Sequence, residues 1–538
     1  VSREKIRRVA DLKTALAAKW FSLSLGNQSR NERIITCLGL AVLTGLVIFL
    51  RLHSLHEPLE HDITSFAYIG HDLLSGGKLY TDLWEIKPPG IFLIYALAER
   101  VWGYGPQAVN YLGITFALLA MGFVFLILRR LANGYTALFG SALWALASNA
   151  VLLLANVPKI ELFINAFMLL GVWGLVEYVY GRKTFLWLAG TAFALGTYLK
   201  INVLFPVLTL SLYFAFPIPG AGWGKWAREK IRLYLKLFLP ALVLWALTCV
   251  YFFILGRFGD FYAIVFRATS HYAGHMAENI RHFFTTPALL ASPRLKEVAV
   301  LWILALGWLV LPRSRTRPLK RGFFLLWLVG EYIMISAVRI VHPYYYQVLL
   351  PVVTIMAALF LWDKVAFLGG RESKLKIPAV ILLLAFSLGY LAYFQAEYLR
   401  LSPEQISVEQ YGSDVFVKER ELGRILGKMT QPGERLFQWG TEPGFYFYSR
   451  RQASSGILFI LYVYDTYTPD LIEKMERKIL QDVASRPPAF FIFNTWLGKP
   501  EDNLFYPFLL KNYRRFSTFD RYILYEYRFR KPWPQDQG

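Results

Sequence analysis

Long apolar runs constrain this chain more than any other feature. They begin near Ile34–Leu50 and Gln107–Leu128 and recur to Ile377–Tyr393. Between these lie Tyr135–Ala155, Ile160–Tyr180, Thr184–Leu199, Val203–Phe216, Leu235–Leu255, Val298–Leu311, Phe323–Val338 and Tyr345–Trp362. Backbone placed in hydrocarbon must satisfy its own hydrogen bonds, and a helix does so within each segment. The expectation is a polytopic α-helical membrane protein with about eleven transmembrane helices, with merges or splits at Lys200 and around Gly90–Gly103. Composition agrees. The chain is 56% hydrophobic, 17% aromatic and only 18% charged, where a soluble protein of this length carries more charge.

The net charge of +21 has two readings. Nucleic-acid binding needs a basic groove or a known motif, and neither is present, so no nucleic-acid partner is expected. The positive-inside rule accounts for the excess better. With the N-terminus on the cytoplasmic side, the short inner loops hold Arg129 and Arg130, Arg182 and Lys183, Lys225 to Arg232, Arg313 to Arg321, and Lys364 to Lys376. The outer loops are longer and carry Asp, Glu and His. Residues 1–33 read as a basic amphipathic segment on the cytoplasmic surface, 34–396 as the membrane core with a first outer loop over 52–90, and 397–538 as an outer domain. That last segment mixes helical and strand periodicities, with a hairpin turn at Asp520–Arg521, and reads as a soluble mixed α/β domain. Cys37 and Cys249 fall in apolar runs on opposite sides of the membrane, so no internal disulfide is expected.

Ionisable groups near hydrocarbon are costly and concentrate where they act. On this topology Asp62, Lys87, Glu161, Lys200, Arg339 and His342 all lie at the outer side, although they come from five separate places in the sequence. Singly, each also fits a charge snorkelling to water. Together, with both signs present, they form the layout of an outward-facing site. Histidines and acids at His53, His56, Glu57, Glu60, His61 and Asp62, and the pair His271 and His275, raise the question of a metal. Pro58 interrupts the helix that would align the first group, and a divalent cation is left open as a cofactor.

The first outer loop reads Asp62…Ala67-Tyr68…Leu73-Leu74-Ser75-Gly76…Tyr80-Thr81-Asp82-Leu83-Trp84-Glu85-Ile86-Lys87-Pro88-Pro89-Gly90. This pattern resembles the GT-C glycosyltransferases, and more narrowly the bacterial relatives of protein O-mannosyltransferases and of the aminoarabinose transferase that modifies lipid A. The resemblance continues at Asn156-Val157-Pro158-Lys159-Ile160-Glu161, at Gly196-Thr197-Tyr198-Leu199-Lys200, and at Arg339-Ile340-Val341-His342-Pro343-Tyr344-Tyr345. It departs at Ile63, where many relatives place a glutamate after the aspartate.

The resemblance implies transfer of a sugar from a polyprenyl-phosphate donor to an acceptor hydroxyl on a glycan, lipid or protein, at the outer face of a bacterial inner membrane. Such a reaction needs a carboxylate to take the acceptor proton and cations to meet the leaving phosphate. Asp62 and Glu161 are the expected catalytic acids. Arg339, Lys200, Lys87 and His342 are the expected phosphate ligands, with Arg339 first because a guanidinium can grip a phosphate with two parallel bonds. Tyr80, Asp82, Trp84 and Tyr345 are expected to touch substrate, although the tyrosines at 344–346 also suit interfacial anchoring. A transporter or flippase of lipid-linked sugars would want a similar groove, but the halves lack the paired broken spans of inverted-repeat transporters. A scaffold whose outer domain binds a partner is the third class.

Overall fold

A computed structural model describes residues 30–215, 223–311, 319–368 and 376–530, apart from 276, 280, 282, 283, 286–292, 340, 461–463, 465 and 504. The amphipathic segment expected over 1–33 lies almost wholly outside the described residues.

Helices occupy each of the apolar runs. Among the described residues six are long and apolar enough to cross a membrane, at Arg30–His56, Pro106–Leu131, Ile160–Val179, Trp226–Ile254, Pro343–Lys364 and Ile381–Tyr398. Gly134–Ala147, Phe185–Leu199 and Ile201–Leu212 are apolar but shorter. Length alone therefore does not yield the expected count, because several apolar runs end early against turns. The run from Tyr135 leaves its helix at Ala147 and continues as turns to Asn156, and the residues that follow lead into the site.

The helices differ in what covers them. Ile160–Val179 is buried along most of its length, whereas Trp223–Ile254 leaves Leu242, Leu247, Phe253 and Ile254 exposed in the manner of a lipid-facing helix. Close packing uses small residues. A Cβ on Gly174 would lie 2.9 Å from the Phe185 carbonyl oxygen and 3.0 Å from the Ala189 nitrogen, so glycine lets Ile160–Val179 and Phe185–Leu199 approach backbone to backbone.

Residues 403–527 form helices around a five-stranded mixed sheet of order β2-β1-β3-β5-β4. Here β1 is Arg435–Trp439, β2 Gln452–Ala453, β3 Phe490–Asn494, β4 Tyr513–Phe519 and β5 Tyr522–Tyr527. β1 pairs in parallel with β2 and β3, and the β4–β5 hairpin adds antiparallel strands. Phe490–Asn494 is buried throughout, as a continuous apolar strand should be, while edge strand β4 exposes Arg514 and Arg515 to solvent.

This sheet unit is docked on the loop of residues 52–90. Trp84 N–H donates to the Gly456 carbonyl at 3.1 Å, Ala453 N–H to Tyr68 Oη at 2.8 Å, and Leu59 N–H to Tyr448 Oη at 2.8 Å. Gly456 is obligatory at this junction, since a Cβ there would sit 1.8 Å from the Asp82 carbonyl oxygen. The loop itself contains a helix, His61–Leu74, whose N-cap is Glu60.

Candidate active site

Helix N-termini leave unpaired N–H groups, and a carboxylate placed before the first turn accepts them. Glu60 takes the N–H of Ile63 at 3.0 Å and of Asp62 at 3.2 Å. That cap presents Asp62 from the first helical turn into a cavity of about 340 Å³. Lys159 and Glu161 reach the same cavity from the start of Ile160–Val179, Lys200 from the end of Phe185–Leu199, Lys87 from the first loop, and His342, Tyr344 and Tyr345 from the turn before Leu350–Leu368. Gln410, Tyr411, Phe416 and Phe459, from the segment that follows the last long helix, line it as well.

Three ammonium groups meet the acids pairwise. Lys159 Nζ lies 3.1 Å from Glu60 Oε2 and 3.3 Å from Asp62 Oδ2, and 3.8 Å above the Tyr344 ring. Lys200 Nζ lies 3.2 Å from Glu161 Oε1 and 3.9 Å above the Tyr345 ring. Lys87 Nζ lies 3.2 Å from Glu85 Oε1. Asp62 alone among the cavity carboxylates is substantially open, with its side chain 34% exposed, while that of Glu161 is fully covered.

Electrostatics separate the two neighbouring acids. Burial would raise the Asp62 carboxyl, but the charges of Lys159 and Lys87, the Lys159 hydrogen bond and His342 outweigh it and hold it down at about 2. Burial raises Glu60 above the ordinary carboxylate value despite Lys159, with the Asp62 charge adding to the rise. Burial, reinforced by the three lysines against Asp62, lowers His342, so this imidazole is neutral at pH 7 and able to donate a hydrogen bond.

The loop that delivers Lys159 and Glu161 is braced from below. Buried Arg51 donates to the carbonyls of Asn156 at 2.8 Å, Ser148 at 2.7 Å and Ala155 at 2.7 Å. The Asn156 side chain in turn donates to Glu57 at 3.1 Å and accepts from Gln410 at 2.9 Å. A second link ties His61, beside Asp62, to Glu419, with Nε2–Oε2 at 3.3 Å.

Of the residues anticipated from sequence, Asp62, Glu161, Lys87, Lys200, His342 and Tyr345 converge on the cavity. Four do not line it. Arg339 lies in an adjacent cleft of about 860 Å³ with Arg267, His271 and His275, because it leaves Arg321–Ser336 on the side that packs against Gly274. Tyr80 is buried and braces Lys87 by donating to its carbonyl at 2.9 Å. Trp84 donates to the Thr81 carbonyl at 3.2 Å and packs by Tyr467. Asp82 abuts Gly456 and lines a separate small pocket with Asp72, Arg435 and Arg486. Sequence reasoning weighed Glu60 only as a possible metal ligand and missed Lys159, although that lysine sits within a quoted motif. It had no signal for Gln410, Tyr411, Phe416 and Phe459, which arrive through tertiary docking. Ile63, which follows Asp62, is fully buried, and Glu60 places a carboxylate on the other side of Asp62.

Among the described residues no group of three His, Cys, Asp or Glu side chains is arranged to hold a metal ion. His53 instead bonds the carbonyls of Tyr398 and Leu401.

No protein-family model and no curated protein sequence matches the chain. Solved structures do match. ArnT from Cupriavidus metallidurans bound to undecaprenyl phosphate superposes with a TM-score of 0.60 at 14% identity, over 91% of this chain and 97% of that one. The apo state of that protein gives 0.58 at 14% identity, over 90% and 97%. The arabinofuranosyltransferase AftD from Mycobacteria gives 0.50 at 12% identity, over 93% of this chain and 40% of that one. At these identities the likeness is one of fold alone, and this chain has the fold of ArnT over nearly the whole length of both chains.

Proposed function

We propose that this protein is a membrane glycosyltransferase that moves a sugar from a polyprenyl-phosphate donor to an acceptor hydroxyl at the outer face of a bacterial inner membrane. The observation that carries the proposal is the cavity's division of labour: one open, ionised carboxylate at Asp62, with the ammonium groups of Lys87 and Lys200 on the same walls. A solved neighbour, matched over nearly its whole length, is bound to undecaprenyl phosphate, which supports the class of donor.

In the proposed reaction the acceptor oxygen attacks the anomeric carbon, its proton passes to Asp62, and the bond from that carbon to the lipid phosphate oxygen breaks with inversion. The leaving phosphate gains negative charge as the bond breaks, so cations near it help the transition state more than the ground state. Lys87 and Lys200 supply that charge and neutral His342 a hydrogen bond. Glu161 orients Lys200, and Tyr345 faces the sugar. The spans number about eleven in this reading, which sets 397–538 outside as a soluble domain. Gln410, Tyr411, Phe416 and Phe459 then close the cavity from the acceptor side.

The test is purified protein in nanodiscs with a panel of polyprenyl-phosphate sugars and extracted envelope glycolipids. Release of polyprenyl phosphate with any donor supports the reading. A folded protein that binds these lipids, releases no phosphate and moves them between leaflets is a transporter.

A further inference from the structure

Lys159 is almost wholly enclosed in the cavity wall. Its side chain is 3% exposed. An ammonium has three N–H donors, and this one has three acceptors around it: Glu60 at 3.1 Å, Asp62 at 3.3 Å and the face of the Tyr344 ring at 3.8 Å. Cation–π contact with a ring adds attraction without adding a charge. The backbone that carries it follows Pro158 and is held by the three Arg51 hydrogen bonds just upstream. The position between two carboxylates beside the reacting centre is where a divalent cation would sit, if one served this site. Here the oxygens it would need are already turned to the lysine.

We propose that Lys159 is the resident cation of the acceptor-activating carboxylates, taking the place of a divalent metal, so that sugar transfer proceeds without one. This rests on the transferase reading above. The groups facing Asp62 are Glu60, His61, Lys87, Lys159 and His342. The lysine's charge is shared between Glu60 and Asp62, and Asp62, the open member, is the one that meets the acceptor proton. When that proton arrives, the ammonium stays on Glu60. Without the lysine, two close carboxylates share a proton at neutral pH, and the base is occupied before the acceptor binds.

The experiment compares the wild type with Lys159→Met, which retains the volume, and with Lys159→Met/Glu60→Gln, all monodisperse in nanodiscs. The proposal expects wild-type release of polyprenyl phosphate to be unchanged by EDTA. It expects Lys159→Met to fall by about 10²-fold at pH 7, with its acid limb moved to higher pH and part of the rate restored by millimolar Mn²⁺. It also expects bound Mn²⁺ to appear by electron paramagnetic resonance in Lys159→Met and to disappear again in the double variant. That second readout needs no turnover, so failure of the transferase reading, seen as no release by the wild type, is separated from failure of this inference. A wild type that EDTA inactivates and Mn²⁺ restores, or a Lys159→Met variant with wild-type rate and pH profile, overturns the proposal.

Discussion

Breaking the Glu161–Lys200 pair from either side should destabilise unequally. Glu161 is fully covered, bonds Lys200 through Oε1 at 3.2 Å, and has no hydrogen-bond partner for Oε2 among the described residues. Lys200 is 15% exposed and also rests over the Tyr345 ring. An effective dielectric constant of about 20 makes the attraction at this separation on the order of 5 kcal/mol, and removing one partner of a buried pair costs about 3–5 kcal/mol. Lys200→Met strands a carboxylate with no other ammonium bonded to it, so it belongs at the upper end. Glu161→Gln leaves an amide oxygen to accept from Lys200 and an ammonium that keeps its ring and the cavity edge, so it belongs at the lower end, about 3 kcal/mol. The double variant Glu161→Gln/Lys200→Met removes both charges and should return to within about 1 kcal/mol of the wild type. Thermal unfolding in one detergent, ranked across the four proteins, reads this order. Turnover should not follow it: Lys200→Met and the double variant should both lose about 10²-fold, because the phosphate has lost a cation in each. Additive destabilisation in the double variant, or recovery of turnover along with stability, would refute the reasoning.

Other perturbations follow from the same geometry. Gly456→Ala drives a Cβ into the Asp82 carbonyl and should cost about 1–3 kcal/mol, read as faster proteolysis at the junction of the first loop and the sheet unit; unchanged resistance would contradict the docking. Burial raises Glu419 from the ordinary 4.5 to about 7, against the charge and hydrogen bond of His61, with Glu442 adding to the rise. The native state therefore binds the extra proton between those values, and stability is greatest below about 4.5 and falls as pH rises through about 7, by up to about 3 kcal/mol. Glu419→Gln should flatten that slope in a pH series of unfolding temperatures, and an unaltered slope would assign it elsewhere. Arg339→Ala should change donor turnover by less than about tenfold, or about 1.4 kcal/mol, because its side chain lines the adjacent cleft; a thousandfold loss would return Arg339 to the phosphate.

Much of this was legible in the sequence because hydrocarbon leaves the backbone few choices. The apolar runs marked the helices, and the Asp520–Arg521 turn marked a hairpin. Asp62, Lys87, Glu161, Lys200 and His342 stand out in the sequence because charge at the end of an apolar run is costly, and they line one cavity. Arg339 lines a different cleft for a geometric reason. It stands three residues before His342, but it lies in the bend just after Arg321–Ser336 while His342 caps the turn Pro343–Leu349, and the two line different cavities. Tyr80, Asp82 and Trp84 belong to a motif whose pattern records how the loop is built as much as what it touches: Tyr80 holds the Lys87 carbonyl and Asp82 packs on Gly456. Lys159 was invisible as a partner of Asp62 because nothing local links positions so far apart; Arg51, reaching the same loop from another helix, is what fixes it there.

The most direct test of the transferase account is Asp62→Asn beside the wild type, with polyprenyl phosphate release measured from the best donor of the panel. Asparagine keeps the size and an acceptor for Lys159 while removing the proton-accepting charge, and Glu60 still balances the lysine. The account predicts a variant that folds and binds the donor lipid as the wild type does but releases polyprenyl phosphate about 10²–10⁴-fold more slowly. Equal release by the two proteins would contradict it and remove Asp62 from the chemistry.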